Sequence, residues 1–546
     1  MREFRVNPAT AERSSIAEVP SIAQVLASAW PALLFATACL VPFLNKAFLI
    51  DDPHFLAMAR QILKQPLHPM DFDTCWNLVD RCTKAYELTP GNTLMGYALV
   101  PTVLGGSAEW IAHTTQLVFV WVAVVAMTSL VLQLGWGRRH AITGAFLLVA
   151  IPPFLPMAST AMPDLLATAT ALVAIERLTA WRARRRWHQG VVAAIALGLA
   201  GIARAHLAFL VPLAAFFLIN SVHPRQIFFQ ARREVRLWIP VLVGGAILIS
   251  IILATRERSL GLDPPAVFAG RQNIAGNLLS YALYFCFPLP LAAVWTVSRW
   301  NTHPKRVAYA LLTSAFVGMV VPGRLVGFAA GFGFSVLADL LFESWERRDQ
   351  SGLFLMLWLL IPLPVVYYGH LPIKYLLPCM PAVILTCFRL AESVPPRLVR
   401  AGGGILIIGA TIYSLLILRS DAEFAEFGRT AMAKLIRPHT AVGETVWYAG
   451  DFSAYWYAPL NGARLYVVGA TQPKSGDLLV IGIREEGGRN TLAHFPKRRL
   501  MGVVYHQYRF GRTMWEGKGL YTNIHGNWLW GFGNSADDRY ELWKID

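Results

Sequence analysis

The sequence predicts an all-α polytopic membrane domain of about thirteen transmembrane helices, followed by a small C-terminal α/β or β-rich domain on the extracytoplasmic side. Three observations predict it. The 546 residues are 55% hydrophobic with a mean hydropathy of +0.45, more apolar than a soluble chain could cover with polar surface. Apolar runs of bilayer-crossing length, about 17–25 residues each, recur as far as residue 418. Beyond that the pattern changes to short β-rich segments separated by Gly, Pro and Asn turns.

Taken in order, residues 1–25 form a cytoplasmic tail. The apolar runs fall near 26–46, 112–134, 141–160, 165–180, 190–203, 205–220, 237–254, 276–298, 307–321, 325–342, 352–369, 374–390 and 401–418, and residues 26–418 make up the membrane domain. The first has no small-residue cleavage site after it and reads as an anchor rather than a removed signal peptide. An extracytoplasmic loop, 47–111, follows. Within it, DDPHFLAMARQILK sets Phe55, Ala59, Ile62 and Leu63 on one helical face and His54, Gln61 and Lys64 opposite. Too short and polar to span, this helix should lie flat on the membrane surface. NTLMGYALVPTVLGG reads as a second surface segment, because counting it as a span would invert every later loop. In the tail, ETVWYAG, ARLYVVGA, DLLVIGI and MGVVYHQY read as strands of one domain, 420–546. Its aromatics, among them Trp456, Trp528 and Trp530, suit a core more readily than a sugar platform.

The net charge of +16 raises nucleic acid as a partner. The cations instead cluster between apolar runs, and no Walker loop, dinucleotide fingerprint or zinc-finger spacing occurs, so no nucleic acid is expected. With a cytoplasmic N-terminus, the clusters Arg138-Arg139, Arg182 to Arg186, Arg225 to Arg236, Arg299 to Arg306, Arg347-Arg348 and Arg397 to Arg400 all fall inside. That obeys the positive-inside rule and leaves the C-terminal domain outside. The expected location is the bacterial inner membrane. Cys75 and Cys82 share the first outside loop, in CWNLVDRC, where an oxidising compartment permits a disulfide; the alternative is two free thiols. Cys39, Cys286, Cys379 and Cys387 lie in spans. No histidine stands near Cys75 and Cys82 at ligand spacing.

Asp51-Asp52 is the sharpest local signal, two carboxylates just after the first span. Acidic residues also cap helix N-termini, and Pro53 suits a first helical turn, so a purely structural role is open. The segment DDPHFLAMARQIL after a first span resembles the entry to the first outside loop of GT-C membrane glycosyltransferases, the broad family of protein O-mannosyltransferases and aminoarabinose transferases. In that family an Asp-Glu or Asp-Asp pair is followed three residues later by an aromatic and an amphipathic helix. Asp51 matches the leading catalytic aspartate, Asp52 the second acid and Phe55 the aromatic, here without a hydroxyl. Asp164, in MPDLLATA at the outer end of the third span, matches an aspartate near the family's catalytic pocket; capping is the alternative. YYGHLPIKYLLPCMP, residues 367–381, is similar to the family's late loop. There Lys374, Tyr375 and His370 would meet the lipid phosphate, with histidine where lysine is commoner; interfacial anchoring is the alternative. Further outside cations, Arg204 beside His206, Arg256, Arg258, Arg271 and Arg324, suit the same phosphate or general headgroup contact.

The resemblance implies transfer of a hexosyl or pentosyl unit, with inversion, from a polyprenyl-phosphate sugar to a glycan, lipid or protein acceptor. It leaves open whether a divalent metal takes part. A transporter or lipid flippase is the alternative, and it would want ionisable residues deep in spans and repeat symmetry. A non-catalytic envelope assembly or sensory protein is a third.

Overall fold

The computed structural model describes residues 19–75, 82–88, 92–218, 235–254, 273–286, 290–321, 323–450, 452–485 and 488–546. The start of the predicted tail, Arg256, Arg258 and Arg271 lie outside them. Among the described residues seven helices are long and apolar enough to cross a membrane: Ile22–Phe43, Glu109–Gln133, Arg236–Ala254, Arg324–Glu346, Gln350–Tyr367, Ile373–Ala391 and Pro396–Thr440. Four shorter apolar helices accompany them: Thr93–Leu104, Trp187–Ala203, Ala205–Leu218 and Ile274–Phe285. The protein is a polytopic helical membrane protein with a small strand-containing C-terminal domain.

We label the elements that build the site. Helix α1 (Ile22–Leu40) leads through a short loop to α2 (Asp52–Lys64). Then come α3 (Glu109–Gln133), α4 (Asp164–Arg184), α5 (Trp187–Ala203), α6 (Ile274–Cys286), α7 (Arg324–Glu346), α8 (Met380–Ala391) and α9 (Pro396–Thr440). The 21 residues of α4 reach about 31 Å at 1.5 Å per residue, a full hydrocarbon thickness. At its far end Arg184 donates to the Val19 carbonyl at 2.6 Å, next to the start of α1. Arg138 likewise donates to the Ala27 carbonyl at 3.1 Å. Basic clusters therefore gather at one end of the bundle, and Asp51 and Asp164 stand at the other.

Several predicted runs divide where the backbone cannot continue. The run near 276–298 holds two described helices, α6 and Leu291–Thr302, and Pro290, which lacks an amide hydrogen, stands just before the second. The run near 141–160 stops at Ala150, before Pro152 and Pro153, and resumes at Phe154–Ala158. The last run is longer than expected. With 45 residues, α9 extends about 67 Å, roughly twice the hydrocarbon thickness. Residues 420–440 are thus a helical stalk, and the strands begin only at Val446.

Close helix contacts use small residues, as in other membrane bundles. A Cβ at Gly333 of α7 would stand 2.0 Å from the Ala282 carbonyl oxygen of α6, so only glycine permits this approach.

The C-terminal domain has a five-stranded mixed sheet. In chain order the strands are β1 (Val446–Ala449), β2 (Arg464–Leu465), β3 (Leu478–Gly482), β4 (Arg498–Tyr505) and β5 (Arg539–Ile545). They lie side by side as β2-β1-β3-β5-β4. β1 runs parallel to β2 and β3, whereas β5 is antiparallel to β3 and β4. The helix Phe452–Leu460 joins β1 to β2, so the domain is α/β. All five residues of β3 are buried. ARLYVVGA yields only two strand residues, while the closing strand β5 has no counterpart among the predicted segments.

Candidate functional site

The site begins with the loop between α1 and α2, which is pinned from several sides. His113 of α3 contacts the Leu44 carbonyl at 2.8 Å. Tyr457 accepts the Phe48 amide at 2.8 Å, and Ser453 donates to the Phe48 carbonyl at 3.0 Å. Ile50 is held at φ +53°, a left-handed conformation that a β-branched residue adopts only under constraint. Asp51 follows directly.

The two aspartates then part. Asp51 occupies the cap position of α2, yet its side chain makes no capping bond. Its Oδ2 instead accepts from Lys374 Nζ at 3.0 Å. Asp52 is fully buried; its Oδ2 accepts the Leu49 amide at 3.0 Å and its Oδ1 the Ala161 amide at 2.8 Å. Asp52 therefore staples the Asp51 loop to the 159–163 loop that launches Asp164. Burial raises the Asp52 pKa to about 7, although Lys46 and the two amides oppose the rise. Burial would raise Asp51 too, but Lys374, then Arg204 and His54, outweigh it and hold its carboxyl below the usual value.

Asp164 opens α4, and its Oδ1 accepts from Arg204 at 2.6 Å. The Arg204 guanidinium lies 4.6 Å from the centre of the Tyr375 ring. His370 stacks on the same ring, with centroids 6.0 Å apart. Lys374 Nζ approaches Met162 Sδ at 3.5 Å and lies 5.9 Å from the Tyr375 ring centre. The side chain of Lys374 is 3% exposed, whereas that of Asp51 is 25% exposed. Five sequence-predicted residues, Asp51, Asp164, Arg204, Lys374 and Tyr375, thus form one cluster of two carboxylates, two cations and a ring, with one carboxylate reachable from outside. His370 belongs to it as a neutral ring, because burial, together with Lys374 and Arg204, lowers its pKa to about 3.

Other expectations divide into those the structure bears out and those it corrects. Arg324 stands exposed on the first turn of α7, and no hydrogen bond or ion pair found among the described residues brings it to the cluster. Helix α2 is open to water only at its end, where Arg60, Leu63 and Lys64 are exposed. His54 and Gln61 on its expected polar side are buried, and the Arg60 guanidinium lies 4.6 Å from the Trp456 ring of the C-terminal domain. Protein covers the rest of α2. NTLMGYALVPTVLGG forms two short helices, Thr93–Ala98 and Val100–Leu104, and Gly96 lets the first approach α2, where a Cβ would meet Met58 Sδ at 2.6 Å. Cys75 and Cys82 form a disulfide with Cα atoms 4.1 Å apart. Trp456 is buried core, and Trp530 donates to the Phe510 carbonyl at 2.8 Å. Carboxylates do lie along the bundle helices: Glu176 of α4 is buried among Ser129, Gln133 and Arg177, and Asp339 of α7 pairs with Arg299 and Arg306.

Sequence reasoning missed a second cluster. Lys46, just past α1, forms a fully buried ion pair with Asp421 of α9 and lies 3.2 Å from Ser159 Oγ. Tyr521 of the C-terminal domain donates to Asp421 Oδ2 at 2.6 Å, and Thr513 Oγ1 lies 3.4 Å from Oδ1. Nearby, Asn523 donates to Asn277 and Ser280 of α6 at 2.9 and 2.8 Å and accepts the Leu371 amide at 2.8 Å. The only local signal was a lone lysine outside the first span.

The carboxylates of the cluster already have protein partners. Asp51 is paired with Lys374, Asp164 with Arg204, and Asp52 spends both oxygens on amides. Among the described residues no three His, Cys, Asp or Glu side chains gather as ligands.

No family model and no curated relative matches the chain. Several solved structures are similar to it, three of which follow. ArnT from Cupriavidus metallidurans bound to undecaprenyl phosphate is 12% identical over 87% of this chain and 96% of that one, with a TM-score of 0.48. The S. cerevisiae protein O-mannosyltransferase Pmt1-Pmt2 complex bound to the sugar donor is 15% identical over 47% of this chain and 37% of that one, with a TM-score of 0.33. The arabinofuranosyltransferase AftD from Mycobacteria is 14% identical over 97% of this chain and 40% of that one, with a TM-score of 0.41. Likeness this distant carries no functional argument, which rests on the residues themselves.

Proposed function

We propose that this protein is a membrane glycosyltransferase that moves a sugar from a polyprenyl-phosphate donor to an acceptor on the extracytoplasmic face. The observation that carries the reading is the pairing of a partly exposed carboxylate, Asp51, with a buried ammonium, Lys374, beside the Arg204–Asp164 pair at one end of the bundle. A lipid phosphate leaving at that level would meet two cations, and an acceptor entering from outside would meet Asp51.

The acceptor hydroxyl or amine attacks the anomeric carbon as the bond from that carbon to the phosphate oxygen breaks. The sugar joins the acceptor, the lipid phosphate leaves, and the acceptor proton passes to Asp51 or to the departing phosphate. With its pKa held low, Asp51 is a weak base, so the proton moves late, as the leaving bond opens. Until then the carboxylate orients the nucleophile by accepting its hydrogen bond. An ammonium has three donors. Lys374 gives one to Asp51 and aims another at a thioether, a weak acceptor, which leaves capacity for an oxyanion. Arg204 adds a second charge for the phosphate, where preorganised cations are effective. His370 would contribute a neutral N–H. No step is routed through a metal.

The test is reconstitution in vesicles with labelled donors. Sugar should move from polyprenyl-phosphate donors and not from nucleotide sugars. Lipid translocation without any transfer would overturn the enzyme and favour a flippase.

A further inference from the structure

Tyr521 belongs to the C-terminal domain, yet its ring centre lies 5.4 Å from Lys374 Nζ, closer than that of Tyr375 at 5.9 Å. Its hydroxyl is fixed on Asp421, which pairs with Lys46. The strand-side loop that carries it is anchored again two residues later, where Asn523 bridges α6 and the Leu371 amide. Leu371 lies three residues before Lys374. Tyr521 is therefore held at its hydroxyl and again two residues on, and its side chain is buried.

We propose that Tyr521 is a positioning residue of the transfer site, acting through Lys374. Its ring shields the ammonium from water and, as a cation–π partner, keeps it aimed at the leaving phosphate. The C-terminal domain is then part of the reaction machinery, because its docking, through Tyr521 on Asp421 and through Asn523 on α6 and the Leu371 amide, brings the ring to Lys374. The proposal rests on the glycosyltransferase reading above.

Two variants separate ring from hydroxyl. Tyr521→Phe keeps the ring and loses the bond to Asp421; Tyr521→Leu loses both. Thr513→Ala touches Asp421 but not Lys374 and serves as the control. A cation–π contact in a desolvated setting corresponds to a change of about five- to thirtyfold. In membranes, Tyr521→Leu should raise the donor KM by about that factor, while Tyr521→Phe and Thr513→Ala stay near wild type. An amine-reactive probe read by mass spectrometry supplies the second measurement, which needs no turnover. Lys374 should be modified faster in Tyr521→Leu and at the wild-type rate in Tyr521→Phe. Equal Lys374 labelling in all variants would overturn the proposal, even if the wild type transfers no sugar and the functional reading falls with it. Faster labelling with an unchanged donor KM would also overturn it, because the ring would cover Lys374 without positioning it.

Discussion

Asp51 and Asp52 differ by one position along a helix start, and that step turns one carboxylate toward Lys374 and the other into two backbone amides. The consequences differ with pH. Asp52 has a folded pKa raised from 3.8 to about 7, so its proton-linked stability is fully present below about pH 3.8 and is lost as pH rises through 7. The melting temperature of the wild type relative to Asp52→Asn should therefore fall between pH 4 and 7 and level off above; a pH-independent difference would refute the raised pKa. The cations divide as sharply. Lys374→Met should cost about 2–4 kcal/mol of transition-state stabilisation, as removal of a preorganised charge does, whereas exposed Arg324→Ala should leave donor use unchanged. Steady-state transfer at limiting donor checks both. Asp51, Asp164 and Lys374 were legible because each sits in a short pattern beside a span end. Lys46 and Asp421 were not, since they lie 375 positions apart and neither has a local motif. Arg324 misled because outside charge alone does not say which way a side chain faces.

At the scale of elements, apolar periodicity located the helices well and their ends poorly; of the thirteen predicted runs, seven coincide with described helices long and apolar enough to cross. It predicted α2 correctly as a helix but assigned its polar face to water, since nothing local announces a roof that arrives with Trp456 some 400 residues later. Likewise α9 continues past the hydrocarbon boundary as a stalk, and hydropathy registers only the apolar part. Close helix contacts leave a fainter trace: Gly333 is one glycine among several until Ala282 is found against it. Gly333→Ala should destabilise the α6–α7 pair by about 1–3 kcal/mol, the usual range for overpacking. Thermal unfolding in detergent reads this out; an unchanged melting temperature would mean that the two helices do not meet so closely.

For the whole molecule, basic clusters at one end and the Asp51–Lys374 and Arg204–Asp164 pairs at the other give the bundle two chemically different poles. The C-terminal domain docks on the second. Cysteine labelling at Arg185 and Arg348 should report the cytoplasm and at Asn461 the outside; an outside signal at Arg185 would reverse the orientation. Glu176 and Asp339 are the carboxylates that a transporter reading would seize on, but Ser129, Gln133 and Arg177 already surround the first and Arg299 and Arg306 pair with the second. The central claim is that Asp51 acts on the nucleophile, and sugar transfer from lipid-linked donor by Asp51→Asn in membranes, at matched protein levels, tests it most directly. Asparagine keeps the size and one accepting oxygen while losing the charge and basicity, so insertion should survive and turnover should fall by about 10²–10⁴-fold; wild-type transfer by a normally inserted Asp51→Asn protein would contradict the account.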